Sequence, residues 1–256
     1  MNYRPAVKLL LILLSAADDM GHIYLVRHGQ ASFGSANYDQ LSTLGFEQAR
    51  LLGQWFANCR HGFQRVLTGG MQRHLQSADS CLAELPKALL VDAEFRTDAG
   101  FAEFDHHQVL LRQCPEFADG AQFQRLLAKH EQPQRAFEQI FAGAMTRWMD
   151  GAHDADYSES WPAFRARCIA ALERAASDAQ ASGATSTIVF TSGGVISTLM
   201  QHVLGLQDRQ VMEMSWTLAN CSVTKLAHRP GQISLAYLNN YAHLEWLGEA
   251  DAITYR

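Results

Sequence analysis

His22-Ile23-Tyr24-Leu25-Val26-Arg27-His28-Gly29-Gln30 is the stretch whose reading decides the fold. An apolar run with β-branched and aromatic members stops abruptly at Arg-His-Gly. That is the pattern of a buried strand delivering polar groups to its C-terminal edge. In open α/β sheets this edge is where ligands bind. Gly29 permits a tight turn and a close backbone approach. Arg27 offers a planar fork of donors suited to a phosphate, and His28 an imidazole able to act as nucleophile or base.

Working outward, the chain alternates. Gln30 to Gln40 reads as a loop rich in Ser, Gly, Asn and Asp. Leu44, Ala49, Leu51, Leu52, Trp55 and Phe56 fall on one helical face, which predicts a helix from Ser42 or Thr43 to about Asn58. Arg65–Thr68 reads as a short strand and Met71–Leu85 as a second helix, stopped by Pro86. Leu89-Leu90-Val91 reads as a third strand. Strands alternating with helices predict βαβ units and a mainly parallel sheet covered on both faces.

From about Asp105 to Tyr157 only helical patterns remain, with Gln132-Pro133 separating Phe123–Leu127 from Phe137–Trp148. An insertion there is placed to cap the active-site edge. Pro162–Ala181 predicts a long amphipathic helix and Thr187–Thr191 a buried strand. A helix over Val195–Leu204 and a hairpin, Ser222–Ala227 with Ile233–Leu238 around Arg229-Pro230-Gly231, complete the pattern. No repeat or linker marks a second domain, so residues 20–256 read as one domain with an insertion over about 105–157.

The segment Leu25-Val26-Arg27-His28-Gly29 resembles the signature of the histidine phosphatase (phosphoglycerate mutase-like) superfamily. The same likeness extends through Asp39-Gln40-Leu41-Ser42, Gly45, Gln48-Ala49 and Leu52-Gly53, then Arg73 with Ser77-Ala78, and Glu159-Ser160 ahead of Arg167. It continues in Gly193-Gly194-Val195, Asn220-Cys221-Ser222-Val223-Thr224 and His243-Leu244, covering residue 22 to the C-terminus. The resemblance implies a three-layer α/β/α sandwich with a helical cap insertion, and a phosphomonoester hydrolase working without cofactor or metal. It assigns His28 as the nucleophile that becomes phosphohistidine, with Arg27 and Arg73 binding the phosphate.

Elementary chemistry agrees with those roles. Flanking arginines disfavour an imidazolium, so His28 is expected to be neutral and nucleophilic. Arg73, at a helix start behind a strand and a Gly pair, is well placed to meet an anion. Glu103 matches the family's carboxylic acid, and a carboxyl between Phe101 and Phe104 is expected to keep a proton near neutral pH. Asp98 and Asp105 are the alternatives.

One position departs from the pattern. The family's late strand normally ends in a second histidine that donates to the transferring phosphoryl group, and here the residue is Ser192. Losing a preorganised donor typically costs about a hundred- to a thousandfold in turnover. His106, His107 and His243 are candidates to replace it, and the Ser192-Gly193-Gly194 amides could form an anion nest. Phosphate binding therefore survives better than catalysis, which keeps open a non-catalytic phospholigand-binding member of the same fold. Ser192→His is expected to raise turnover, with the two glycines leaving room. A serine hydrolase would need a nucleophile elbow and an Asp-then-His pair downstream of Ser192, and neither is evident. His106-His107 lack metal-ligand spacing.

Composition sets the limits. The 256 residues are 48% hydrophobic and 18% charged, as in a globular chain able to bury a full core. A formal net charge of −5 argues against a nucleic-acid surface or polybasic membrane patch. The expected partner, a small phosphorylated molecule, is what the family resemblance implies. Five cysteines without a C-x-x-C pair suit reduced thiols. Leu9–Leu14, behind Arg4 and Lys8, is too short to span a bilayer, which needs about 20 residues. Residues 1–19 read as a mis-assigned start ahead of Met20 and the protein as cytoplasmic, with an export signal over residues 1–17 as the alternative.

Overall fold

The computed structural model describes residues 20–32, 39–90 and 92–255. The expectation of a leader over residues 1–19 lies outside them. Among the described residues one sheet of six strands runs through the molecule: β1 (Gly21–Arg27), β2 (Arg65–Thr68), β3 (Glu94–Thr97), β4 (Ser186–Thr191), β5 (Val223–Arg229) and β6 (Gln232–Asn240). Their order is β3-β2-β4-β1-β5-β6. The first four pair in parallel, and β5 and β6 add an antiparallel hairpin outside β1. The hairpin turns on Pro230-Gly231, where Gly231 takes the left-handed conformation that a tight turn needs.

Side-chain parity along β1 explains its continuous apolar run. Ile23 and Leu25 face a core built with Phe164, Leu172, Val189 and Leu199. Tyr24 and Val26 face a second core with Leu52, Phe56, Ile188 and Phe190. A strand covered on both faces has no polar register to keep. The second layer contains α1 (Thr43–Asn58) and α2 (Gln72–Leu82), and the first contains α6 (Trp161–Ser182) and α7 (Gly193–Leu204). The sandwich is thus α/β/α, as expected. Ser42 caps α1 by accepting from Gly45 N–H, and Ser160 caps α6 with Pro162 in its first turn.

Between β3 and α6 lie only helical pieces: α3 (His106–Gln113), α4 (Gly120–Leu127) and α5 (Pro133–Met149), with 3₁₀ turns at Ala99–Phe101, Pro115–Ala118 and Asp154–Asp156. Phe123, Leu127 and Ala136 make a small core of their own, while Trp148 of α5 packs between Phe104 and Trp161 in the main one.

One expectation needs correction. Leu89 belongs to a 3₁₀ turn, Lys87–Leu89, and Leu90 follows it; Val91, the last residue of the expected strand, lies outside the described residues. The third strand is instead Glu94–Thr97, at the sheet edge with Phe95, Arg96 and Thr97 exposed. An edge strand left uncovered has no need of apolar alternation, so hydrophobicity pointed to the turn packed on Phe63. A helix after α7, here α8 (Asp208–Thr217), was not foreseen, because Val211 is its only fully buried apolar residue and leaves no periodic stripe. All five cysteines are free. No described helix is long and apolar enough to cross a membrane.

Candidate active site

The C-terminal ends of β1 and β4 lie side by side, Arg27 opposite Thr191, and His28 N–H donates to Thr191 O at 2.9 Å. Residues 28 and 192 therefore share the C-terminal edge of the sheet, the edge at which open α/β sheets generally bind ligands. The loop after β1 is locked against α1 and α2. Gly29 N–H donates to Ser77 Oγ (3.0 Å) and Gln30 N–H to Gln48 Oε1 (2.9 Å). A Cβ on Gly29 would stand 2.3 Å from the Gly45 carbonyl, so only glycine fits.

His28 is buried, and its Nδ1 lies 2.7 Å from the Gly29 carbonyl. That contact requires an Nδ1–H donor and leaves the lone pair on Nε2. Burial first, then Arg73, His74 and Arg27, hold its pKa well below the usual 6.5. The imidazole is neutral near pH 7, with desolvation outweighing the arginines that the sequence suggested.

Both arginines are buried at the same place. Arg27 donates through Nη1 to Leu218 O and through Nη2 to Tyr255 O (3.1 Å). Arg73, the second residue of α2, pairs with Asp39 at 2.8 Å, whose other carboxylate oxygen accepts from Gln72 N–H. Glu103 is half-buried, accepting from Gly194 N–H at 3.0 Å and Phe104 N–H at 3.2 Å. Burial raises its pKa against the opposing pull of Arg73 and these amides. Arg167 steadies the approach to Glu103, donating to the Ala99, Gly100 and Ala102 carbonyls while paired with Glu159 at 2.7 Å.

The alternatives for the acid have other work. Asp98 accepts from Gly100 N–H and pairs with Arg174, and Asp105 caps α3. Of the expected anion nest, the Gly194 amide is already committed to Glu103. Gly193 lies against Arg27, where a Cβ would be 3.4 Å from its Nε.

None of the three histidines expected to compensate for Ser192 bonds to it. His107 packs on Phe117, and His243 is buried against Trp55. His106, at the start of α3, is held to a pKa of about 4 by burial and then Arg73. The imidazole beside Ser192 is His74, whose Nε2 lies 2.6 Å from Ser192 Oγ. Its ring centroid is 5.8 Å from that of His28. Sequence reasoning passed over His74 as the neighbour of Arg73. A signal existed: His74, Ala78 and Cys81 recur at i, i+4 and i+7 on the buried face of α2.

A Ser–His contact raises the serine hydrolase reading again, this time with the base upstream of the serine. Ser192 has an extended backbone (φ −121°, ψ 166°) unlike a strained elbow, and among the described residues His74 Nδ1 meets no orienting carboxylate. Among the described residues no cluster of three or more His, Cys, Asp or Glu is arranged to hold a metal ion.

A cleft of about 840 Å³ is lined by Gln30, Arg135, Glu138, Trp216, Thr254 and Tyr255, whose carbonyl accepts from Arg27. Gln30 is two residues beyond His28, and Arg135 and Glu138 come from α5.

Residues 23–241 match the family described as the histidine phosphatase superfamily (branch 1). No curated protein matches the chain significantly. Among solved structures, a phosphoglycerate mutase from Bacillus anthracis superposes with a TM-score of 0.62 at 16% identity, covering 91% of this chain and 100% of the other. A phosphoserine phosphatase from Entamoeba histolytica, in complex with phosphoserine, gives 0.59 at 17%, covering 88% and 99%. A mycobacterial glucosyl-3-phosphoglycerate phosphatase with VO3 gives 0.54 at 18%, covering 86% and 99%.

Proposed function

From the premise that this chain belongs to the histidine phosphatase superfamily (branch 1), we propose that it hydrolyses small phosphomonoesters through a phosphohistidine at His28. The observation that carries this reading is the state of His28. It is a neutral imidazole with Nδ1–H tied to Gly29 O and Nε2 left as the nucleophile, beside two buried arginines.

In the first step Nε2 of His28 attacks phosphorus, the N–P bond forms and the ester P–O bond breaks. The proton of Glu103 passes to the leaving alkoxide. Arg27 and Arg73 balance the charge on the equatorial oxygens, with Asp39 giving up part of its hold on Arg73. In the second step water attacks phosphorus, its proton goes to the Glu103 carboxylate, the N–P bond breaks and inorganic phosphate leaves. Ser192 stands where the second histidine is expected, donating one hydrogen bond to the phosphoryl group, with Gly193 beside it.

Relatives of this fold crystallised with phosphoserine and with 3-phosphoglyceric acid support a small phosphorylated substrate. The cleft volume falls within the range of small-molecule sites. A specific observation favours a second reading, a phospholigand-binding protein with little turnover: position 192 carries a neutral hydroxyl where an imidazole is expected. A chromogenic phosphomonoester assay on wild type and His28→Ala separates the two. Hydrolysis that falls to background in His28→Ala, with an acid-labile phosphoprotein formed only by wild type, supports the enzyme. Equal background rates with retained vanadate binding establish the binding protein.

A further inference from the structure

The place of the missing imidazole is not vacant of imidazole chemistry. His74 reaches Ser192 from the first turn of α2, a different element from the strand end on which the family resemblance places a histidine. A serine hydroxyl by itself is a poor directed donor, because its hydrogen rotates about the Cβ–Oγ bond. At 2.6 Å from an imidazole nitrogen that rotation is stopped, and the remaining question is which way the hydrogen is shared.

The surroundings of the ring answer it. His74 Nδ1 is buried with no hydrogen-bond partner among the described residues, and it faces Gly69, where a Cβ would stand 2.6 Å from it. A hydrogen on Nδ1 would therefore be a buried donor with nothing to meet, the arrangement folded proteins avoid most strictly. With the hydrogen on Nε2, the ring donates to Ser192 Oγ. Oγ then accepts on the His74 side, and its own hydrogen is turned away from that ring. Ser192 Oγ makes no other hydrogen bond among the described residues, and the edge it stands on is shared with His28 and Arg27.

We propose that His74 and Ser192 form one composite donor, His74 Nε2–H to Ser192 Oγ–H to a phosphoryl oxygen, which replaces the single imidazole expected at position 192. This rests on the phosphatase reading for its ligand. Ser192 is the member that touches the phosphoryl group, and His74 is a positioning residue acting through it. No covalent bond changes and each hydrogen stays on its own atom. Burial, then Arg73, holds the His74 pKa to about 3, so the ring carries a single N–H at any working pH. Gly69 is part of the device, since a side chain there would strike both His74 Nδ1 and the Phe101 carbonyl.

The test couples a spectroscopic and a binding readout. In ¹⁵N-histidine-labelled full chain at pH 7, His74 should be neutral with its hydrogen on Nε2, and that signal should shift in Ser192→Ala. Vanadate affinity and kcat should fall about a hundredfold in Ser192→Ala and about tenfold in His74→Met, with KM little changed. The double variant should be no worse than Ser192→Ala, because both changes break one chain of bonds. His74→Gln, which keeps an N–H in reach, should recover most of the loss, as a purely packing role would not. An Nδ1–H tautomer, a His74→Met protein that binds vanadate like wild type, or losses that multiply in the double variant would each overturn the composite donor. Coupled vanadate losses without turnover in wild type would sink hydrolysis but leave the donor standing. A wild type that fails to bind vanadate overturns both.

Discussion

The ends of β1 and β4 are neighbours, hydrogen-bonded through His28 N–H and Thr191 O, yet they present different chemistry. β1 brings its whole contribution in consecutive residues: a guanidinium, the imidazole proposed as nucleophile and the glycine that lets them turn. β4 brings a hydroxyl and two glycines, and borrows its imidazole from α2 and its carboxyl neighbour from the segment after β3. What this edge requires is a group at a point in space. Where one strand end supplies it, a motif is visible in the sequence; where three elements share the work, no contiguous motif exists.

That contrast can be broken from the carboxyl side first. Glu103→Gln should lower kcat by about 10²–10⁴-fold. The sign of its pH dependence follows from the shifts. Glu103 must carry a proton and its pKa is raised, so activity should hold up into mildly acidic solution and fall as pH climbs through that raised value. His28, lowered well below 6.5, should add no acidic limb near pH 6.5. A pH profile of kcat/KM checks both, and Glu103→Gln should remove the fall with rising pH. An unchanged fall would assign it to another group.

The two arginines sharpen the comparison at the next level. Arg27→Ala and Arg73→Ala should each weaken vanadate binding by about 1.5–3 kcal/mol, measured by titration calorimetry. Arg27 is anchored on backbone carbonyls, whereas Arg73 is held by the Asp39 carboxylate. Wild-type affinity in Arg73→Ala would remove α2 from the clamp and leave the strand ends alone.

The smallest expected effect is also the one where sequence and structure disagree in sign. Sequence alone points to a gain from Ser192→His. In the structure, the direction taken by Ser192 Oγ leads to His74 at 2.6 Å, and Gly193 and Gly194 are packed against Arg27 and Glu103. Ser192→His alone should therefore lose activity, by about tenfold, through overpacking. Ser192→His combined with His74→Ala, which vacates the space, should recover it. Steady-state assays of both variants, with melting curves to exclude unfolding, read the outcome.

Much of this molecule was legible because its signals are local. The apolar runs of β1 and β4 are long enough to be buried on both faces, and the stripe of Leu52 and Phe56 has one face to cover. Those patterns need no knowledge of what packs on them. The edge strand β3 and helix α8 escaped for the converse reason: with few buried apolar residues, they are held by pairing and by neighbours and not by their own periodicity. Placement of the chemistry divides in the same way. Arg27, His28 and Gly29 are set by three consecutive residues at a strand end, so the sequence by itself determined them. The bond between His74 and Ser192 joins positions 118 residues apart, and only the packing of α2 beside the end of β4 decided which imidazole the serine would meet. Side-chain direction at a sheet edge depends on the neighbouring helix, and that is a tertiary fact.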